Sequence, residues 1–285
     1  MEIRRVRVGH SPDPDDAFMF YGIASGAVDT RGFEIEQVQE DIESLNRRAL
    51  AGELEVSAVS FHAYPHLAER YALLPCGASM GDGYGPCVVS ARPLATTDLA
   101  TRTVAVPGRL TSAFLALRLL LGREPRHTLV PFDRIPAAVL GGEAEAGLII
   151  HESQLTYREQ GLHLVVDLGA WWSHRTAGLP LPLGGNVVRK DLGRTTMTAL
   201  GRILRESIEY GLAHRAAALA YAEPFGRGLD RSRTDRFVGM YVNELTRDCG
   251  ARGRRAIARF LEEGAASGAV PRLETLELVE DDARP

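Results

Sequence analysis

The 285-residue chain is poor in cysteine. Only Cys76, Cys87 and Cys249 are present, and none stands in a CxxC spacing. An uneven set of three excludes a disulfide framework and a cysteine-built zinc site, and it fits a reducing compartment. No apolar run reaches the ~18 residues that crossing a bilayer needs. The opening "MEIRRVRVGHSPDP" leads into a short alternating strand with no signal-peptide core behind it, so the expected location is cytoplasmic. An excess of one charge is missing too. Thirty-three Lys and Arg face 37 Asp and Glu, a net charge of -4. That balance gives no electrostatic case for nucleic acid or a membrane surface as partner. The one tight basic run, "RGRR" (252–255), sits on a helical pattern as a solvated face would. Short catalytic signatures are absent as well. There is no GxSxG and no HExxH, and the glycines of "GDGYGP" (81–86) are followed by neither GK[ST] nor a helix. No internal repeat or low-complexity segment appears.

What is present is an ordinary globular mixture, 45% hydrophobic and 25% charged, arranged as alternating strands and helices. "VRVGH" (6–10) reads as a strand and "SPDPDDAFMFYGIASG" as a helix. In that helix Pro14 stands in the first turn, Asp13 is the expected N-cap, and Gly26 is the stop. Phe18, Tyr21 and Ile23 are expected to face the core. "FEIEQVQED" (33–41), "VSAVSFHAY", "TVAVPG" (103–108), "HTLVPF", "AGLII" and "LHLVVDLG" read as strands. Helices are expected at 42–51, 110–122, "DRIPAAVLGG" and "ESQLTYREQG", then at about 194–222, 231–248 and 251–267. This rhythm predicts an α/β fold with a mostly parallel sheet covered by helices. "LPLPLGGNVVRK" (179–190) breaks the rhythm as a crossing segment and returning strand. Two lobes are expected, 1–92 plus 186–285 and 93–185, hinged near 86–95 and 179–190 with the ligand cleft between them. The tail "EDDARP" is expected to fray.

Candidate site residues lie at strand ends. In "SPDPDD" the carboxylates Asp13, Asp15 and Asp16 crowd a helix start, which reads first as capping. The glycine and closing glutamate of a calcium loop are missing. Ser11 remains a cleft residue. Thr111 and Ser112 open a helix after the turn in "PGRLTSAF", where hydroxyls and unpaired amides suit a carboxylate; Thr111 as a plain cap fits equally. "VSAVS" (56–60) brings a similar set, with Ser57 and Ser60, from the other lobe. In "GLIIHES" (147–153) an apolar strand ends at His151, placing an imidazole that titrates near neutrality at the edge where such folds bind ligands. His10 and His62 also follow strands. His66, His127, His163, His174 and His214 read as surface or packing residues.

"SPDPDDAFMFY", "EDIESLNRRALAGELEVSAVSFHAY", "GYGPCVVS", "VAVPGRLTSAF", "GEAEAGLIIHESQLTY" and "VVDLGAWWSHRTAGLPLPLGGNVVRKDLG" follow in order. Together they resemble the 1,4-dihydroxy-6-naphthoate synthase family of the futalosine route to menaquinone. The resemblance covers most of the chain and weakens in the C-terminal helices. It implies a periplasmic binding protein-like (type II) fold with a hinge and interlobe cleft. It further implies a lyase that needs no metal or organic cofactor, a small-molecule carboxylate substrate, and a monomer or homodimer. The family's general base falls on His151. Its substrate contacts fall on Ala58, Val59 and Ser60 and on Thr111 and Ser112. Two departures stand out: Asp13 and Asp15 occupy positions of Cys and Asn, and Ala58 that of a lysine. Both make the cleft more acidic than an anionic substrate would favour. A transporter's solute-binding protein and a chorismate dehydratase are the competing readings.

Overall fold

In the computed structural model, residues 4–279 are described. The tail "EDDARP", expected to fray, lies outside them. In chain order the elements are β1 (Arg4–His10), α1 (Pro14–Ala24), β2 (Phe33–Gln39), α2 (Ile42–Ala51), β3 (Val56–Ser60), β4 (Tyr71–Leu73), β5 (Ser79–Gly81) and β6 (Cys87–Ser90). Then come β7 (Val104–Val106), α3 (Ser112–Leu121), β8 (His127–Leu129), α4 (Ile135–Leu140), β9 (Ala146–Ile149), α5 (Ser153–Thr156), β10 (His163–Asp167), α6 (Leu168–Arg175) and β11 (Leu181–Arg189). The C-terminal part is helical: α7 (Arg194–Ala213), α8 (Arg215–Ala222), α9 (Arg231–Tyr241), α10 (Glu244–Arg247) and α11 (Gly250–Ala266).

The strands form two sheets. One has the order β2-β1-β3-β11-β4, with β5 also paired to β11; the other has the order β10-β6-β9-β7-β8. Neither is mostly parallel, which corrects the expectation from the βα rhythm. β1 runs parallel to β2 and β3, and β7 parallel to β8 and β9, but β11 and β6 run against all their neighbours. The physical reason is topological. β6 and β11 are the strands at which the chain passes between the sheets, so neither follows a neighbour in its own sheet through the βαβ crossover that gives parallel pairing. "LPLGG" (181–185) is therefore the first half of β11 rather than a bare linker.

Burial follows from the two-sheet layout. One cluster runs continuously from the first sheet (Val59, Phe61, Leu73) into the second (Val104, Leu148) and on to Trp172 and Phe260. A second lies under α1, α7 and α8. α1 is buried on more than its expected stripe: Phe18, Met19 and Phe20 are all covered, whereas Tyr21 and Ile23 are only half-buried. It is gripped by α7, where Ser207 Oγ donates to the Met19 carbonyl at 2.7 Å. "ESQLTYREQG" forms only the single turn α5 before unravelling into turns. All three cysteines are free and buried, and burial pushes the thiols of Cys76 and Cys87 up to about 12.

Candidate active site

The C-terminal ends of β1, β3 and β9 and the start of α3 meet around a cavity. From the first sheet come Ser11 and Asp15, in the loop and first turn after β1, and Ala58 and Ser60 on β3. The second sheet's side supplies Thr111, Ser112 and His151. The pleat of β3 separates its three candidates. Ala58 and Ser60 line the cavity, while Val59 points the other way and is fully buried in the core. Ser60 is held from behind by Asn46, which donates to its Oγ at 3.1 Å and accepts from its amide at 2.8 Å.

The hydroxyls at the start of α3 are already engaged. Thr111 Oγ1 accepts from the Phe114 amide at 3.2 Å and donates to the Gly108 carbonyl at 3.1 Å. Ser112 Oγ donates to the Leu183 carbonyl and accepts from the His62 amide. What this helix end turns to the cavity is therefore backbone as much as hydroxyl, the first-turn amides of Ser112 and Ala113.

His151 follows β9 in a left-handed conformation, φ +60°, unusual for a side-chain-bearing residue and costing about 1–2 kcal/mol. That turn aims the ring at the cavity. The edge of the ring meets Phe132, centroids 4.7 Å apart, and Nδ1 stands 3.0 Å from Asp13 Oδ2. His10 and His62 are different. His10 lies 3.0 Å from the Ser11 carbonyl through Nδ1 and 3.0 Å from Gln37 Oε1 through Nε2, and it stacks on Phe20. His62 lies 3.0 Å from the Thr111 carbonyl. Burial lowers both, His62 to about 4, so they remain neutral packing groups at ordinary pH.

The three aspartates do not act together as a cap. Asp13 occupies the N-cap position of α1 but makes no side-chain cap bond. Its Oδ2 faces His151, and its Oδ1 accepts from Arg227 Nη1 at 2.7 Å. Asp16 does the holding instead, accepting from the Ser11 amide at 2.7 Å. Burial, reinforced by the neighbouring carboxylates, raises Asp15 to about 7 and Asp16 well above the usual carboxylate range. The cleft is therefore less negative than a count of its carboxylates implies. Arg227 offsets Asp13, and Asp15 and Asp16 hold protons at pH values where an exposed aspartate would have lost them.

Arg227 escapes sequence reading. It sits at φ +46° in a loop between α8 and α9, bonded also to Glu152 Oε2 at 3.1 Å and the Pro12 carbonyl at 3.0 Å, with its guanidinium 4.6 Å from the Phe132 ring centroid. "FGRGL" carries no periodic signal; the two flanking glycines are the only hint of an unusual backbone. Gln154 and Tyr241 were likewise unmarked, yet both line the cavity and the Tyr241 hydroxyl donates to Gln154 Oε1 at 2.8 Å. The "GDGYGP" turn serves close packing. The Tyr84 carbonyl wedges between Gly81 and Gly169, where a Cβ would lie 2.0 and 1.9 Å from it. Among the described residues no three His, Cys, Asp or Glu side chains gather in a way that could hold a metal ion.

Comparison with known proteins places this arrangement in a family. A protein from Thermus thermophilus named 1,4-dihydroxy-6-naphthoate synthase is 45% identical over 264 residues, 92% of this chain and 95% of that one. A Streptomyces coelicolor protein of the same name is 37% identical, over 96% of this chain and 97% of its own. A crystal structure from Archaeoglobus fulgidus superposes with a TM-score of 0.88 at 46% identity, covering 93% of this chain and 98% of the other. The alkanesulfonate-binding protein SsuA of Xanthomonas axonopodis pv. citri, solved with MOPS, has a TM-score of 0.72 at 12% identity, over 95% and 96% of the two chains. That likeness is one of fold, and it makes this a periplasmic binding protein-like α/β architecture. The family model for menaquinone biosynthesis matches residues 6–266, and the chain belongs to that menaquinone biosynthesis family.

Proposed function

We propose that the chain is a 1,4-dihydroxy-6-naphthoate synthase, a carbon–carbon lyase that splits cyclic dehypoxanthinyl futalosine into 1,4-dihydroxy-6-naphthoate and dihydroxyacetone. The observation that supports this most is His151, an imidazole facing a cavity between two sheets in a chain 45% identical to a protein of that name. Aromatising the substrate requires a C–H proton to be taken and C–C and C–O bonds to break. In this reading His151 accepts the proton, the electron pair left on carbon drives the cleavage, and the closed apolar walls keep water from competing. The substrate carboxylate lies against the first-turn amides of α3, with Ser11, Ala58 and Ser60 on the facing wall. Asp15, neutral below about pH 7, adds hydrogen bonding to that wall without repelling the anion. Residues 1–92 with 186–285 and residues 93–185 are the two lobes of this reading, closing about the crossings at 86–95 and 179–190, with the sheets themselves dividing a few residues earlier at each crossing, since β6 pairs in the second sheet and the whole of β11 in the first.

The test is incubation of the purified chain with cyclic dehypoxanthinyl futalosine, following the naphthoate chromophore. Turnover is expected, and His151→Ala is expected to lower kcat by about 10²–10⁴-fold with the thermal transition in place. A wild-type chain inert toward this substrate, or an alanine variant of near-normal rate, contradicts the reading. Chorismate, run in parallel, separates this activity from a dehydratase.

A further inference from the structure

We infer that Asp13 is the positioning residue of His151, reaching from the first sheet to a histidine carried by the second, and that Arg227 fixes which way that carboxylate works. The inference rests on the proposed role of His151 as base and adds how that base is made. Three observations carry it. Asp13 stands where a helix N-cap should be, yet its carboxylate turns away from the helix and forgoes a bond worth about 1 kcal/mol. One of its oxygens lies 3.0 Å from His151 Nδ1, and its side chain is only 3% exposed. The other oxygen takes Arg227 Nη1 at 2.7 Å, and Arg227 spans on to Glu152 beside the histidine.

The chemistry follows from which groups can donate. A carboxylate only accepts, so Asp13 keeps a proton on His151 Nδ1 and leaves the lone pair on Nε2. Among the described residues Nε2 has no hydrogen-bond partner, so it is the nitrogen available to a substrate. When Nε2 takes the substrate proton, the imidazolium formed faces the same carboxylate. Because Asp13 follows β1 and His151 follows β9, the pair exists only while the ends of the two sheets are held together.

Asp13→Asn tests this sharply because Arg227 can only donate. It takes the asparagine oxygen and turns the amide NH2 toward His151. Nδ1 must then accept, and the proton moves to Nε2, the wrong nitrogen for a base. The expected result is a kcat lower by about 10²–10⁴-fold with KM changed by less than about threefold, as for a base held in the wrong tautomer. Asp13→Asn added to His151→Ala should cost nothing further, since Asp13 acts only through the ring. An Asp13→Asn variant of near-wild-type kcat, or one that lowers the residual rate of His151→Ala by the same factor as the wild-type rate, overturns the inference. A substrate-free measurement keeps it separate from the proposed activity. In 15N-histidine spectra assigned with His151→Ala, the wild type should show the Nδ1–H tautomer at His151 and Asp13→Asn the Nε2–H tautomer. One tautomer in both proteins overturns the inference even if the enzyme turns over. A chain inert toward the cyclic substrate but showing the switch sinks the activity and leaves the positioning role standing.

Discussion

Three aspartates within four positions have three different environments. Asp13 is paired, Asp16 is tied to the loop backbone, and Asp15 lies in the cavity wall with its carboxyl raised to about 7 by burial. Asp15 has a definite consequence for pH. Its folded value lies above the ordinary 3.8, so between about pH 4 and 7 the unfolded chain gives up this proton while the folded chain keeps it. The stabilisation is complete below the lower value and is lost as pH rises through the upper one, on the order of a few kcal/mol in all. Asp15→Asn, a neutral side chain of the same shape, is expected to flatten that decline. In urea titrations the variant should gain on the wild type between about pH 4 and pH 7, and it should keep its activity above neutrality, where the wild type falls. Parallel stability–pH curves would show that Asp15 does not titrate in that window. At this scale the sequence was legible where a residue follows a strand. His151 is readable at the end of "AGLII" because sheet edges collect ligands, but its left-handed φ is invisible in composition. Asp13 reads as a cap because local rules favour it. A histidine 138 positions away redirects it, and no local rule contains that contact.

Among the elements, the start of α2 holds the start of α3. Asp41 caps α2 by accepting from the Glu43 and Ser44 amides at 3.1 Å each. That fixes Glu43 so that its carboxylate takes the amides of Arg109 at 3.2 Å and Leu110 at 3.1 Å, just before α3 begins. Gly108 leaves room for this approach, since a Cβ there would sit 2.3 Å from Glu43 Oε2. Removing the carboxylate frees two amides and loosens the cavity wall that carries Thr111 and Ser112. Glu43→Ala is therefore expected to raise KM by about five- to tenfold with little change in kcat, the effect of losing about 1 kcal/mol of uniform binding. A fall in kcat at constant KM would place Glu43 in the chemistry instead. Strands and helices themselves were largely legible, because alternation and 3.6-residue spacing are local. Pairing direction was not. "CVVS" looks like any other buried strand and "LPLGGNVVR" like a crossing segment with a returning strand, and only the path of the whole chain sends both antiparallel to their neighbours.

Over the whole molecule, the two sheets are tied by bridges of unequal worth. Arg233 pairs with Glu159 at 2.7 Å, but the two side chains are 41% and 57% exposed, so water competes for both. Arg227 meets Asp13 and Glu152, whose side chains are 3% and 10% exposed, and is itself 27% exposed. Distance alone would rank the two bridges together; desolvation separates them. Truncating Arg233 returns an exposed carboxylate to water at a cost of about 0–1 kcal/mol. Truncating Arg227 strands two mostly buried carboxylates near one another, which costs about 1–3 kcal/mol even allowing for the guanidinium's own exposure. Arg227→Ala should therefore lower the urea midpoint clearly, and Arg233→Ala hardly at all. Added salt should have little effect on the Arg227 loss because the site is largely shielded from ions. Equal losses for the two variants, or an Arg227 loss erased by salt, would mean that the guanidinium bridge is a surface contact. Asp13 would then lack the fixed countercharge that holds its second oxygen, and nothing would keep its first on His151.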